Sequence, residues 1–205
     1  MKKLTLVALA TLFALPAYAN QTYIAADLGG GSYDMSGNIS DAEIVDDLDE
    51  FGFLNIKVGQ MINDNVRYYG YLQRSGAEGI ETKRRFLGVE VKLAEFNLTT
   101  YEAGLGGDYL HHFTNRFYAI AGANIGVYRS KLEADVIFEN VHVDMSNTGL
   151  STGANLGLGY AFTDQFGMEV GYRHTHFFGN DFEFKGRTLE FESSNVGYVN
   201  FNYKF

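Results

Sequence analysis

The charges that interrupt otherwise apolar or glycine-rich stretches are Asp27, Lys57, Arg67, Glu102, Asp108, Glu169 and Arg173. Both signs are present, so gathered into one interior they would either pair or line a polar conduit. An unpaired buried charge costs several kcal/mol, which favours an Arg/Lys–Asp/Glu network. Histidine offers a second chemistry. His174 and His176 stand two apart, which puts both on one face of a strand and suits metal ligation, but no further ligand cluster lies nearby in sequence. A histidine beside a serine would instead make a nucleophile–base pair. Here Phe177 and Phe178 follow, and Thr175 points to the opposite face. No catalytic, metal-binding or cofactor-binding residue is therefore assigned.

Other candidates have plainer readings. Asp34, Asp41, Glu43, Asp46, Asp47, Asp49 and Glu50 crowd residues 33–50, yet they lack the Asx-x-Asx-x-Asx-Gly spacing of a calcium loop. A solvated loop fits them better. His111 and His112 fall in a predicted turn and His142 in a predicted loop, where solvent satisfies them.

The elements that must hold these residues alternate at period two. In the last ten residues Gly197, Val199, Phe201, Tyr203 and Phe205 form one apolar face, opposite Tyr198, Asn200, Asn202 and Lys204. A soluble sheet seldom leaves such an aromatic strand as its edge. A barrel closed in lipid has no free edge, and its aromatic strand ends sit at the membrane surface.

The same alternation recurs along the chain. Ile24, Ala26 and Leu28 oppose Tyr23, Ala25 and Asp27, and Leu54, Ile56 and Val58 oppose Asn55 and Lys57. Val66, Tyr68 and Leu72 oppose Arg67, Tyr69 and Gln73, and Tyr101, Ala103, Leu105 and Tyr109 oppose Glu102, Gly104 and Asp108. Further strands are expected over 116–130, 149–162 and 166–178. Short connections at 63–65, 111–115 and 163–165 alternate with long ones at 33–50, 77–96, 131–148 and 179–195. Ser40 followed by Glu43 has capping-box spacing and predicts a short helix in the first long loop. Residues 77–96 alternate too, and are read as an outer extension with strand character. Aromatic belts are expected at both ends: Tyr109, Phe117, Tyr160, Phe162, Phe166, Phe201, Tyr203 and Phe205 at the inner one, and Tyr33, Phe51, Tyr128, Phe177 and Phe178 at the outer one.

The expected fold is all-β: an eight-stranded antiparallel transmembrane up-and-down β-barrel with long outer loops and short periplasmic turns, ten strands being the alternative. Lys2 and Lys3, the apolar run Leu4–Leu15 and Ala17-Tyr18-Ala19 read as a cleaved signal peptide over 1–19, leaving the barrel as 20–205. Loss of the two lysines takes the formal charge from −9 to −11, which argues against nucleic acid as a partner. There is no cysteine, so export to an oxidising compartment brings no disulfide.

The segment Leu158-Gly159-Tyr160-Ala161-Phe162-Thr163-Asp164-Gln165-Phe166-Gly167-Met168-Glu169-Val170-Gly171-Tyr172-Arg173 resembles a hairpin of small OmpA/OmpX-type, opacity-like outer-membrane barrels. The resemblance spans the predicted mature chain. It implies the cell outer membrane as location, and recognition of Phe201, Tyr203 and Phe205 by the outer-membrane assembly machinery. The function expected first is that of a non-enzymatic, monomeric barrel whose outer loops meet surfaces, host factors or lipopolysaccharide. That family holds adhesins, serum-resistance factors and structural barrels, and membership does not choose among them. Arg74, Lys83, Arg84, Arg85, Arg129, Lys131, Lys185 and Arg187 lie toward the outer rim and suit lipopolysaccharide phosphates, though loop solubility explains them equally well. A lipid A-modifying enzyme and a narrow conduit for small apolar solutes are the alternatives.

Overall fold

The computed structural model describes residues 21–37, 50–86, 89–136, 141–184 and 187–205, with the outermost parts, 77–96 among them, described as backbone alone. The predicted signal peptide and the predicted helix after Ser40 lie outside the described residues. The strands are β1 (Gln21–Gly37), β2 (Glu50–Asn63), β3 (Val66–Phe86), β4 (Val89–His112), β5 (Phe117–Val136), β6 (Val141–Ala161), β7 (Phe166–Phe178), β8 (Asp181–Phe184) and β9 (Arg187–Lys204). Each wall strand pairs antiparallel with the next, from β1 through β7 and then β9, and β9 returns to pair with β1. The sheet therefore closes on itself. β8 only flanks β9, so the barrel wall has eight strands rather than ten.

Tight turns are built by local hydrogen bonds. Thr114 Oγ1 accepts from Phe117 N at 3.0 Å, and Thr163 Oγ1 accepts from Phe166 N at 2.9 Å. Asn63 Oδ1 accepts from Asn65 N at 2.8 Å. These side chains supply the bonds that the chain loses on leaving the ladder.

The barrel is inside out relative to a soluble protein. Ile24, Leu28, Leu54, Ile56, Leu72, Leu105, Ile125, Val127, Leu150, Leu156 and Leu158 are exposed around its waist, Leu156 at 66%. Asp27 and Asn200 inside are fully buried. Such an apolar exterior has no soluble counterpart of this size, and hydrocarbon is the environment that satisfies it.

At the end away from the turns, the long connections are largely strand rather than irregular loop. β3 and β4 stay paired out to Phe86↔Val89, through register shifts between Ala77 and Ile80 and between Thr82 and Lys83, whereas β2 pairs with β3 only as far as Gly52↔Gly76. β5 and β6 continue to Val136↔Val141, whereas β7 meets β6 only up to Leu150↔Phe178. The outer parts of β3, β4, β5 and β6 thus form a four-stranded sheet standing above the wall. On the other side β1 reaches Gly37↔Leu189, and β8 pairs with β9 from Asp181↔Glu190 to Phe184↔Arg187.

Candidate functional site

The interior is where a pore or buried reaction would sit, and it is filled by two aromatic-rich clusters and a set of buried charges. Toward the turn end Tyr23, Ala25, Met61, Tyr69, Tyr71, Leu110, Tyr118 and Ile120 form one buried cluster. At the outer end Tyr33, Phe51, Phe53, Leu98, Tyr128, Leu132, Phe177, Phe191 and Val196 pack into one cluster. The Tyr33 and Phe51 rings stack at 4.1 Å, and Tyr128 meets Phe177 edge-on at 5.1 Å. This overturns the expected outer belt: Tyr33, Phe51, Tyr128 and Phe177 point inward, and only Phe178 of that set faces out. Parity is the physical reason. Each of the four shares an inward face with a polar residue on its own strand, as Phe51 does with Asn55 and Lys57. The inner belt residues Tyr109, Phe117, Tyr160, Phe162, Phe166, Phe201, Tyr203 and Phe205 are exposed on the outside.

The charges are interleaved with the tyrosines of the first cluster, Arg67 lying 5.3 Å from the Tyr23 ring centroid and Lys57 4.9 Å from that of Tyr69. Arg67 forks onto Glu169 at 2.7 and 2.8 Å, and its Nε donates to Asp108 at 2.8 Å. Glu169 also accepts from Tyr118 Oη at 2.9 Å and from Asn202 at 3.2 Å. Lys57 pairs with Asp27 at 2.8 Å, and Asp27 accepts from Asn55 and Asn200 as well. Glu102 accepts from Tyr71 Oη at 2.5 Å and Ser151 Oγ at 2.7 Å. Arg173 donates to Gln73 and lies 5.0 Å from the Phe53 ring centroid. Asp27, Lys57, Arg67, Glu102, Asp108, Glu169 and Arg173 are all buried inside the barrel.

Glycines on the inner wall let tyrosines cross it. A Cβ at Gly159 would lie 2.3 Å from the Tyr118 ring, and one at Gly106 2.5 Å from that of Tyr69. The space is filled by rings seated on bare backbone, as an eight-stranded barrel of this width requires.

Two polar faces remain on the outside. On the first, the registers place Leu54, Arg74, Tyr101, Arg129 and Thr148 in one cross-strand row. Beneath it runs an apolar row, Ile56, Leu72, Ala103, Val127 and Leu150. The small Ala103 side chain leaves a groove of about 460 Å³, edged by Arg74, Tyr101 and Arg129. Lys131 sits one outward step above Arg129, opposite Thr99 and Ser146. Side chains of Lys83, Arg84, Arg85, Lys185 and Arg187, and that of His142, fall outside the described residues.

The second face lies across β7, β9 and β1. His176, Ser193 and Asp34 are aligned across the three strands, and His174, Asn195 and Ser32 form the row one step nearer the turns. Sequence spacing missed this serine because it comes from a neighbouring strand through register. Its hydroxyl donates to Asp34, while the His176 ring packs edge-on against Phe178 at 4.6 Å. At the C-terminus Tyr203 and Phe205 meet edge-on at 5.1 Å, and Phe205 N donates to Thr22 O at 2.9 Å.

The sequence matches the family described as outer membrane protein beta-barrel domain over residues 5–205. Among solved structures the chain is similar to Neisserial surface protein A, at 16% identity and TM-score 0.59, covering 90% of this chain and 97% of that one. It is also similar to a major outer membrane protein from Thermus thermophilus, at 8% identity and TM-score 0.58, covering 90% and 99%. At such identities the likeness is one of fold. No curated protein sequence matches significantly.

Proposed function

Because the chain belongs to the outer membrane protein beta-barrel domain family, we propose that it is a non-enzymatic surface barrel that engages partners through its outer sheet. The observation that carries this reading is the sheet formed by the outer parts of β3, β4, β5 and β6. Between Ala77 and Phe86, β3 pairs with β4 along one edge, and among the described residues nothing pairs with the other. The edge left unpaired among the described residues would offer backbone donors and acceptors to an extended segment of another protein, in adhesion or serum resistance. Host surface factors are the partner class. The filled interior supports the same reading, since packed rings and paired charges occupy the space a conduit would need. Ser193 gives its hydroxyl proton to Asp34 while the His176 ring packs on Phe178, so the histidine–serine pair that lipid A chemistry would use is not formed.

Replacing residues 77–96 by a two-residue turn tests this. The shortened protein should still shift on heating in gel electrophoresis, as a folded barrel does, but lose attachment to host cells and serum survival. A folded variant that retains both would overturn the assignment.

A second reading concerns lipid, and the row of Arg74, Tyr101 and Arg129 above an apolar groove favours it. Guanidinium groups suit phosphate oxygens, and the groove suits an acyl chain, so lipopolysaccharide is the matching ligand. Lys131 extends the same cationic face, and Lys83, Arg84, Arg85, Lys185 and Arg187 belong to the same proposal. Lipopolysaccharide should raise the melting temperature of the wild-type barrel above its value in phosphatidylcholine, and an Arg74→Gln/Arg129→Gln variant should lose that gain. Equal gains would overturn the contact. Phe201, Tyr203 and Phe205 are proposed as the strand read by the assembly machinery, and residues 1–19 as the export signal removed beforehand.

A further inference from the structure

The outer end of the wall formed by β7, β9 and β1 carries a run of hydrogen bonds that surface attachment does not need. Tyr172 Oη donates to Asn195 Oδ1 at 2.5 Å, and His174 Nδ1 lies 2.9 Å from the same oxygen. Asn195 Nδ2 donates to Asp34 Oδ2 at 3.0 Å, and Ser193 Oγ donates to that carboxylate too. Direction follows from the chemistry of the groups. A carboxylate only accepts, so Asn195 turns its amide nitrogen to Asp34 and its carbonyl to His174. The Nδ1 of His174 must then carry a proton, and in the neutral ring the lone pair sits on Nε2.

A histidine fixed through Nδ1–H to a carbonyl, itself held by a carboxylate, is how proteins orient a metal-ligating imidazole. His176 stands on the same outward face, two residues along the strand and about 6.6 Å away by strand rise. Its ring lies against Phe178, and sharing a metal with His174 requires it to leave that contact by rotation about its side-chain bonds. We propose that His174 and His176 form a two-imidazole site on the outer wall for a borderline divalent transition metal, with His174 pre-oriented by Asn195 and Asp34. Imidazole selects Zn²⁺, Ni²⁺ and Cu²⁺ over the hard cations that favour oxygen. Among the described residues no three imidazole, carboxylate or thiol groups converge on one point, so the chain supplies two ligands and solvent the remainder. Such a site exchanges its metal and is not structural.

The test uses the full barrel, untagged and refolded in detergent micelles, titrated with Cu²⁺ by calorimetry and followed by electron paramagnetic resonance. One Cu²⁺ per barrel is expected, with nitrogen hyperfine structure from two imidazoles. His174→Gln and His176→Gln should each weaken binding at least tenfold. Asn195→Ala, which keeps both imidazoles and loses only the orienting carbonyl, should weaken it by about tenfold. A His111→Gln/His112→Gln control at the turn end should bind like the wild type. Each variant is first shown folded by its heat-dependent gel shift. Equal affinity of the wild type and the His174→Gln/His176→Gln variant would overturn the site, and unchanged affinity in Asn195→Ala would overturn the orienting role.

Discussion

Arg67 holds two carboxylates at once, forked onto Glu169 and bonded through Nε to Asp108, in an interior where each would otherwise lack a counter-charge. Removing the cation alone leaves two buried anions facing each other, which costs about 3–5 kcal/mol. Arg67→Met should therefore lower the urea midpoint of the barrel in lipid vesicles by an amount equivalent to that loss. The triple variant Arg67→Met/Asp108→Asn/Glu169→Gln should recover most of it, because its neutral groups need no counter-ion. An Arg67→Met barrel as stable as the wild type would contradict the account. At this scale the sequence was informative about side, less so about partner. The parity of Arg67, Asp108 and Glu169 with polar neighbours puts all three inside. That one arginine serves both acids depends on registers spanning β3, β4 and β7, which no local pattern encodes. The Asn195 relay to His174 was hidden for the same reason: its members come from three strands and only closure of β9 onto β1 joins them.

The strand is the unit on which legibility turns. Within the lipid belt one face meets hydrocarbon and the other meets the filled interior, so polarity alternates and each strand can be read directly. Leu156 exemplifies the outward set and its neighbour Asn155 the inward one. A cation at Leu156 would face hydrocarbon at mid-strand, and Leu156→Arg should cost about 2–4 kcal/mol in vesicle-folded protein. The check is the urea midpoint again, and a neutral result would mean that Leu156 does not face lipid. Above the belt both faces of a ribbon meet water, and alternation loses its contrast. This is why 131–148 and 179–195 read as polar loops although β5, β6 and β9 run well into them. Residues 77–96 kept some alternation, and their strand character was legible. The outer aromatics show the opposite hazard. Tyr33, Phe51, Tyr128 and Phe177 sit at the height of a girdle, but height does not decide orientation; the period-two phase of each strand does, and it turns them into the plug.

For the whole molecule, the alternation of tight turns with long connections carried the architecture. It places the start of β1 and the end of β9 on the turn side and makes an even number of crossings, and the eight-stranded closure follows. What the barrel does was far less legible, because recognition by outer segments leaves no transferable spacing, and fold alone does not choose among functions. The central claim is that the cylinder is sealed by its own side chains and acts from its outer surface. Single-channel recording of the refolded protein in planar bilayers tests that most directly. The filled interior predicts a flat trace without open-channel steps. Reproducible steps of hundreds of picosiemens would contradict it, since the account has the Tyr33, Phe51, Tyr128 and Phe177 rings packed together across the outer end.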